Sequence, residues 1–193
     1  MIVEPVTLHG FAVRLEPMTA DHVIALARVG LEPEIWRWGI APLTTTEDMQ
    51  VYVEQALEER RRGLSLPFVI VALPSGQVVG STRYGNIDLV NRRLEIGWTW
   101  LAPAHQRTAI NTEAKLLLLT HAFEQLRVHR VELKTDALNQ KSRAAILRIG
   151  AVEEGTFRKH IVTASGRVRD SVFYSIIDTE WPTVKARLQG KLQ

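Results

Sequence analysis

The turn from Gln106 to Asn111 is the segment whose residue types could carry chemistry most directly. It follows an apolar strand pattern and begins a helix, with Asn111 as the expected N-cap. The first backbone N–H groups of a helix have no partner within it and share its positive dipole end, so they can bind phosphate oxygens. Arg107 adds a positive charge at the same place. The alternative is an ordinary strand-to-helix turn that carries an arginine.

Composition restricts the classes of protein that the chain could belong to. It has 193 residues, of which 46% are apolar and 23% charged, and this favours a single folded domain over residues 1–193. Cysteine is absent, which excludes disulfides, thiolate metal sites and cysteine nucleophiles. No apolar run approaches the roughly 20 residues of a membrane-spanning helix. The first residues carry no secretion signal, so we expect a cytoplasmic protein with no membrane partner.

Charge is distributed unevenly along the chain. Residues 1–103 contain 9 Arg or Lys and 12 Asp or Glu, a net of −3, whereas residues 104–193 contain 15 and 9, a net of +6. This asymmetry favours an anionic ligand held by the second half, such as a phosphorylated cofactor. Docking on RNA is an alternative, but the chain has no stacking motif or basic run of the usual kind, and no direct nucleic-acid binding is expected. Ordinary scatter of surface charge remains a third explanation.

Hydrophobic periodicity predicts the order β α α β β β α β α β β α around one mixed sheet, an α/β or α+β fold. Strands are predicted at 11–15, 67–73, 77–86, 93–101, 130–135, 156–163 and 168–177. Helices are predicted at 20–28, from Thr45 with Asp48 in a capping box, from Asn111, at 139–149 and after Trp181. In the strand 93–101, alternation predicts that Leu94, Ile96, Trp98 and Trp100 face one way and that Glu95, Gly97 and Thr99 face the other.

The order of elements and several motifs resemble the GCN5-related N-acetyltransferase (GNAT) family, in particular its RimJ/RimL-like branch of ribosomal-protein N-terminal acetyltransferases. The resemblance covers nearly the whole chain. The family's phosphate loop, Gln/Arg-x-x-Gly-x-Gly/Ala, is matched by Gln106 to Asn111, with Ala109 and Asn111 in place of its small residues. Residues 94–98 resemble the central strand, residues 139–142 with Gly150-Ala151 resemble the Asn-x-x-Ser/Ala helix and the Gly-Phe after it, and residues 170–174 and Glu180-Trp181 resemble the end of the domain.

The resemblance implies a GNAT-type fold, with one mixed, mostly antiparallel sheet of about seven strands that is splayed in the middle and flanked by helices. It also implies acetyl-coenzyme A (acetyl-CoA) as the acetyl donor, with no metal. The pantetheine arm would lie in the splay along main chain 98–101, the pyrophosphate would lie on the N–H groups of residues 107–112, and Asn139 would reach the arm from the far side. The residues expected to bind the cofactor are Trp98, Thr99, Trp100, Leu101, Gln106, Arg107, Thr108, Ala109, Ile110, Asn111, Thr112, Asn139 and Ser142.

Acyl transfer to an amine needs a group that removes a proton from the ammonium. Glu95 is the candidate base, because the family often places a carboxylate at this strand position and partial burial makes a carboxylate more basic. Its alternative role is an ion pair with Arg92, Arg93 or Arg83, and His160 is the second candidate base. A main-chain N–H near residues 98–101 would hold the oxyanion.

The leaving thiolate of coenzyme A takes up a proton; because coenzyme A is a good leaving group, the alternative is that no dedicated acid is required. Many relatives supply the proton from a Tyr four residues beyond the Ser/Ala of the Asn motif, but that position here is Ile146. Ser142 is the candidate replacement, with Tyr174 as a weaker one; the alternative for Ser142 is a structural helix hydroxyl.

Trp36, Trp38 and Tyr84 are the expected contacts of the acceptor, because the segment with both tryptophans borders the acceptor pocket in the resemblance; ordinary packing is the alternative. The expected function is acetyl transfer to a primary amine by direct attack in a ternary complex, with a protein N-terminal α-amine as the favoured acceptor. The alternatives are a small-molecule amine as acceptor, such as an antibiotic or a polyamine, and a module that binds coenzyme A or an acyl-CoA without turnover. A homodimer is compatible with the branch.

Overall fold

Eight strands form one sheet, and hydrophobic clusters cover both of its faces. The computed structural model describes residues 1–193. The order across the sheet is β1-β2-β3-β4-β5-β6-β8-β7, and every neighbouring pair is antiparallel except β5 and β6. The strands are β1 (Leu8–His9), β2 (Val13–Pro17), β3 (Leu66–Ala72), β4 (Gln77–Asp88), β5 (Arg93–Leu101), β6 (Arg130–Asp136), β7 (Val152–Val162) and β8 (Val168–Ile177).

Six α-helices connect or flank the strands. They are α1 (Val23–Gly30), α2 (Pro33–Trp36), α3 (Thr46–Arg61), α4 (Ala109–Thr120), α5 (Gln140–Arg148) and α6 (Trp181–Gly190). Helix α3 begins as its sequence predicts: Asp48 N donates to Thr45 Oγ1 at 3.1 Å, and Thr45 N donates to Asp48 Oδ2 at 2.9 Å. This reciprocal capping box satisfies two backbone donors at the start of the helix.

The α/β class and the mostly antiparallel sheet agree with the expectation, but the strand count is eight rather than about seven. The additional strand is β1, which has only two residues and pairs with β2. Such a short strand carries no periodic pattern, so sequence periodicity could not predict it. Strand β7 also begins earlier than predicted, at Val152 instead of residue 156.

Strand β3 shows how the two clusters are built. All seven of its residues are buried. Phe68 and Ile70 belong to the larger cluster, with α4, α5 and α6, whereas Val69 and Val71 belong to the smaller cluster, with α1 and α3. Because successive side chains of a strand point to opposite faces, this strand contributes to both clusters. None of the helices combines the length and hydropathy that crossing a membrane requires.

The carboxylate of Glu113 fixes α4 against the first strands. It accepts hydrogen bonds from the backbone N–H groups of Phe11, Ala12 and Val13 at 2.7–2.9 Å, and it is 5% exposed. Gly10 leaves room for it, since a Cβ on Gly10 would lie 2.5 Å from the carboxyl carbon. The contact positions the beginning of α4, where the candidate phosphate site lies.

Candidate functional site

An opening in the sheet separates β5 from β6. The two strands are paired only from Arg93 to Glu95 on β5 and from Arg130 to Glu132 on β6. Beyond these three pairs, β5 continues beside β4 to Leu101, and β6 continues beside β8 to Asp136. The facing edges of β5 and β6 therefore have backbone groups that no strand partner satisfies, and an extended ligand can hydrogen-bond to them.

Helix α4 begins beside this opening, at Ala109. Thr108 is its N-cap: the Thr108 hydroxyl accepts a hydrogen bond from Ile110 N at 3.3 Å and donates to the His105 carbonyl oxygen at 2.8 Å. The prediction that Asn111 caps the helix is therefore wrong, and Asn111 lies in the first turn. Arg107 is exposed and has a φ of 62°.

The backbone N–H groups of Arg107 and Thr108 have no hydrogen-bond partner in the protein. Together with the positive end of the α4 dipole and the Arg107 side chain, they form an anion-binding arrangement.

Side chains near the N-termini of α4 and α5 contact each other beside the opening. Gln106 Nε2 donates to the Leu101 carbonyl oxygen at 2.9 Å, and Gln106 Oε1 accepts a hydrogen bond from Lys141 Nζ. Asn139 is the N-cap of α5, where its Oδ1 accepts from Ser142 N at 3.0 Å. This use of Oδ1 leaves the Asn139 Nδ2 donor without a partner in the protein. The predicted residues Gln106, Asn139 and Ser142 are thus brought to one place.

Glu95 lies at the closed end of the opening, on the last pair that joins β5 to β6. It is 3% exposed. Its Oε2 accepts hydrogen bonds from Asn86 Nδ2 at 2.7 Å and from Lys134 Nζ at 2.8 Å, whereas its Oε1 accepts none from the protein. Lys134, rather than any of the three arginines considered from the sequence, is therefore its ion-pair partner.

A bulge changes the faces of β5 after Gly97. Ser81 of β4 pairs with Trp100 and Arg83 with Gly97, so β5 has one residue more than β4 between these pairs, and Trp98 has a φ of 49°. Leu94 and Ile96 belong to the larger cluster, but Trp100 belongs to the smaller one. The predicted single face of Leu94, Ile96, Trp98 and Trp100 is therefore wrong beyond the bulge.

The bulge places the Trp98 indole near Glu95. The ring lies 5.4 Å from the Arg83 guanidinium and 5.7 Å from Lys134 Nζ. Trp98 remains 37% exposed, and its ring occupies the space beside Gly85, where a Cβ would lie 2.2 Å from the indole. An aromatic ring and two cations thus border the carboxylate on the face of the sheet that α1 and α3 cover.

The three expected acceptor contacts have different surroundings. Tyr84 is fully buried in the larger cluster and donates from its hydroxyl to the Leu118 carbonyl oxygen at 2.6 Å, so the structure does not bring it to the site. Trp36 is half-buried, donates from Nε1 to the Gly30 carbonyl oxygen at 2.6 Å and packs on Trp100. Trp38 lies between the Arg37 and Arg167 guanidinium groups, at 5.2 and 5.7 Å.

The remaining candidate acids and bases lie apart from Glu95 or are engaged by the protein. Ile146, at the position of the family's tyrosine, is buried in the larger cluster. The Tyr174 hydroxyl accepts a hydrogen bond from Arg143 Nε at 3.1 Å, and burial raises the pKa of this tyrosine. His160 is exposed on β7, where it packs edge-on against Phe157 and Phe173.

Sequence reasoning misses two lysines of the site. In the sequence, Lys134 is one residue of a predicted strand and carries no other signal. Its contact with Glu95 depends on the register of β5 against β6, which the sequence alone does not reveal. Lys115 lies on α4, is 6% exposed and donates from Nζ to Thr99 Oγ1 at 2.7 Å. The sequence could have indicated this position, because a lysine stands on the buried face of α4, where apolar side chains are usual.

A family model described as an acetyltransferase (GNAT) domain matches residues 12–152. This chain belongs to the GNAT family. Its matched region contains β2 to β6, the opening, Glu95 and the beginning of α4, and the pattern of one mixed sheet with flanking helices is the GNAT fold that the motifs implied.

Several relatives show how far the similarity extends. YdaF of Bacillus subtilis (strain 168), provisionally named a ribosomal N-acetyltransferase, is 39% identical over 109 residues, which are 56% of this chain and 58% of YdaF. A structure from T. thermophilus, provisionally described as an acetyltransferase, superposes with a TM-score of 0.90 at 35% identity and covers 100% of both chains. Mycobacterium smegmatis RimJ, solved in complex with CoA-disulfide, has a TM-score of 0.83 at 26% identity over 97% of this chain and 95% of RimJ. The RimJ/RimL-like character of the motifs agrees with these relatives.

Proposed function

We propose that this protein transfers the acetyl group of acetyl-CoA to a primary amine, and that the amine is the α-amino group of a protein N-terminus. The observation that carries the proposal is the opening between β5 and β6, where strand pairing stops after three residue pairs with Glu95 at the closed end. An extended ligand in this opening would bring its reactive end toward an unpartnered carboxylate oxygen. The reaction is expected in the cytoplasm, where acetyl-CoA and newly made proteins are both present.

The residues around the opening fit acetyl-CoA. Main chain 98–101 has no β6 partner and can bind the pantetheine amides, while Asn139 Nδ2 is free to donate from the α5 side. The N–H groups at the start of α4 and the Arg107 guanidinium suit the pyrophosphate. Ala109 is exposed and Asn111 half-buried, so neither side chain is packed into the protein core. When bound, acetyl-CoA supplies an acetyl thioester activated for attack by an amine.

Glu95 accepts the amine's proton in this proposal, directly or through water. Its Oε1 is free, whereas its Oε2 is held by Asn86 and Lys134, so the carboxylate has a fixed orientation. The attacking nitrogen forms a bond to the carbonyl carbon, the carbon–sulfur bond breaks, and the electron pair stays on sulfur. Backbone N–H groups after the Trp98 bulge can stabilise the oxyanion because strand β6 does not use them.

The choice of a protein α-amine rests on the relatives and on the shape of the site. YdaF is named as a ribosomal N-acetyltransferase, and the Trp98 indole, which lies near Glu95, is 37% exposed. A peptide N-terminus is narrow enough to approach Glu95 while the rest of the chain stays outside. A small-molecule amine is the competing outcome, and a module that only binds coenzyme A is the non-catalytic one.

Two measurements test the proposal. Calorimetric titration with acetyl-CoA is expected to show binding, and free-thiol release is expected with peptides that carry a free N-terminus. Matched peptides with a blocked N-terminus and an unmodified lysine provide the control, because they retain a primary amine of another kind. Release only with small amines would contradict the protein acceptor, and binding with no release on any amine would contradict the enzyme proposal.

A further inference from the structure

Lys115 is a buried cation on α4 that neither binds the amine nor removes its proton in the proposed reaction. Its Nζ makes a single hydrogen bond, to Thr99 Oγ1 at 2.7 Å, and no carboxylate lies within ion-pair distance. Burial lowers the pKa of Lys115 to about 7. Lysine is rarely buried without a paired charge, because removing an ammonium from water is costly. Lys115 therefore lowers the free energy of unfolding relative to an apolar residue at the same position.

Thr99 connects this lysine to the opening. It lies on the part of β5 that β6 does not pair, and in contrast to Lys115 it is exposed. Its hydroxyl oxygen accepts from Lys115 and is also 2.8 Å from Thr82 Oγ1. The Thr99 hydroxyl therefore contacts the buried ammonium and is also exposed to a ligand lying along residues 98–101.

We infer that Lys115 is a positioning residue that acts through the Thr99 hydroxyl to stabilise and protonate the sulfur that leaves during acetyl transfer. The inference rests on the proposed function. As the carbon–sulfur bond breaks, Thr99 Oγ1 gives its proton to the sulfur and receives one from Lys115 Nζ. Lys115 then regains a proton from solvent after the products leave, so the protons balance over one turnover.

The other candidate acids are less well placed for this task. The position of the family's tyrosine is the buried Ile146, and the Tyr174 hydroxyl is engaged by Arg143. Ser142 lies in the first turn of α5, where its backbone N–H donates to Asn139 Oδ1 and its hydroxyl has no hydrogen-bond partner in the protein. Lys115 is the one of these groups whose proton can be replaced near neutral pH, as general-acid chemistry requires.

Three variants test the relay. Lys115→Met keeps the length of the side chain without its charge, and Thr99→Val removes the connecting hydroxyl. Ser81→Ala is the control, because it removes a buried β4 hydroxyl that bonds to the Tyr52 hydroxyl and not to Thr99. The first readout is the ultraviolet absorbance of thiolate in bound coenzyme A at a fixed pH, which requires no acceptor. We expect the thiolate fraction to fall in Lys115→Met and Thr99→Val, because each variant loses a group that stabilises the thiolate, and to stay at the wild-type level in Ser81→Ala.

The second readout is steady-state kinetics with a peptide acceptor. Lys115→Met and Thr99→Val should lower kcat by roughly 10²-fold and change KM for acetyl-CoA by less than about threefold. If Lys115→Met does not fold, Thr99→Val carries the test alone. An unchanged thiolate fraction in Thr99→Val, or an equal loss in Ser81→Ala, would overturn the relay. A relay-dependent thiolate signal without acetylation of any amine would instead contradict the proposed function.

Discussion

The Lys134 ammonium on β6 donates a 2.8 Å hydrogen bond to Glu95 Oε2 on β5, two residues beyond the last pair that joins these strands. The ion pair closes the narrow end of the opening and orients the carboxylate, leaving Oε1 free. Both side chains are largely removed from water, which strengthens their electrostatic interaction. The carboxylate that we propose as the base is therefore held at the point where the two strands separate.

Replacing Glu95 by Gln should lower kcat by on the order of 10²-fold, with a much smaller change in the affinity for acetyl-CoA, because an amide cannot accept the amine's proton. Steady-state kinetics and calorimetry measure the two effects. Glu132→Gln is the matched control, since Glu132 is the β6 residue paired with Glu95 and is bound by Arg93 and Arg130. Equal losses in both variants would remove Glu95 from the role of base.

Replacing Arg107 by Gln should weaken acetyl-CoA binding by roughly 10-fold, because a charged hydrogen bond to the pyrophosphate is lost. The difference from wild type should shrink as salt concentration rises, since Arg107 is exposed. Calorimetric titration at two ionic strengths measures both quantities. Arg158→Gln, an exposed arginine on β7, should leave the affinity at the wild-type value; a similar loss there would indicate a general charge effect.

Replacing Gly85 by Ala should displace the Trp98 indole, because the new Cβ would lie 2.2 Å from the ring. We expect a shift in tryptophan fluorescence and a roughly 10-fold loss of kcat/KM for the peptide acceptor, since misplacing a group beside the reacting atoms is costly. Gly190→Ala is the control, because a Cβ there meets no atom within 4 Å. Full activity of Gly85→Ala together with an altered fluorescence spectrum would show that the position of Trp98 is unimportant.

Replacing Glu113 by Gln should reduce the free energy of unfolding by about 1–3 kcal/mol, because an amide cannot accept from all three backbone N–H groups that the buried carboxylate holds. Urea unfolding measures the loss. Glu58→Gln removes only an exposed ion pair with Arg61 and should change stability by less than about 0.5 kcal/mol. A Glu113→Gln protein as stable as this control would mean that the contact contributes little.

Lys115 should make stability depend on pH in a known direction. Burial lowers its pKa to about 7, whereas an unfolded lysine titrates near about 10.4. Between these values the unfolded chain binds a proton that the folded chain does not, so this group's contribution to stability rises with pH across that window, and the cost is fully present below it. The stability of wild type relative to Lys115→Met should increase by on the order of 1–3 kcal/mol from about pH 7 to about pH 9 in urea unfolding. Parallel curves for the two proteins would contradict this assignment.

Local patterns predict β5 correctly in its bounds but not in its faces. The strand from Arg93 to Leu101 has clear alternation, and Glu95 does lie opposite Leu94 and Ile96. A bulge at Trp98 changes the face of every later residue without changing any residue type, so periodicity could not reveal it. The buried position of Tyr84 could not be predicted for a different reason, since a tyrosine in a strand suits either a core or a pocket.

The candidate site is predictable where it depends on neighbours in sequence and escapes prediction where it depends on contacts between distant elements. Thr108 and Asn111 are both good N-cap residues, and the path of the preceding turn, rather than local preference, selects Thr108. The contacts of Glu95 with Lys134 and of Thr99 with Lys115 require the strand register and the packing of α4. No short sequence window contains that information.

The short pairing between β5 and β6 also affects the stability of the protein and its resistance to proteolysis. Strands β1 to β5 come from residues 8–101 and β6 to β8 from residues 130–177, so the two halves of the sheet are also successive halves of the chain. A ligand that bridges them adds to the stability of the whole fold, by about 2.7 kcal/mol at a concentration 100 times its Kd. When acetyl-CoA is scarce, a larger fraction of the protein should be unfolded and open to proteases.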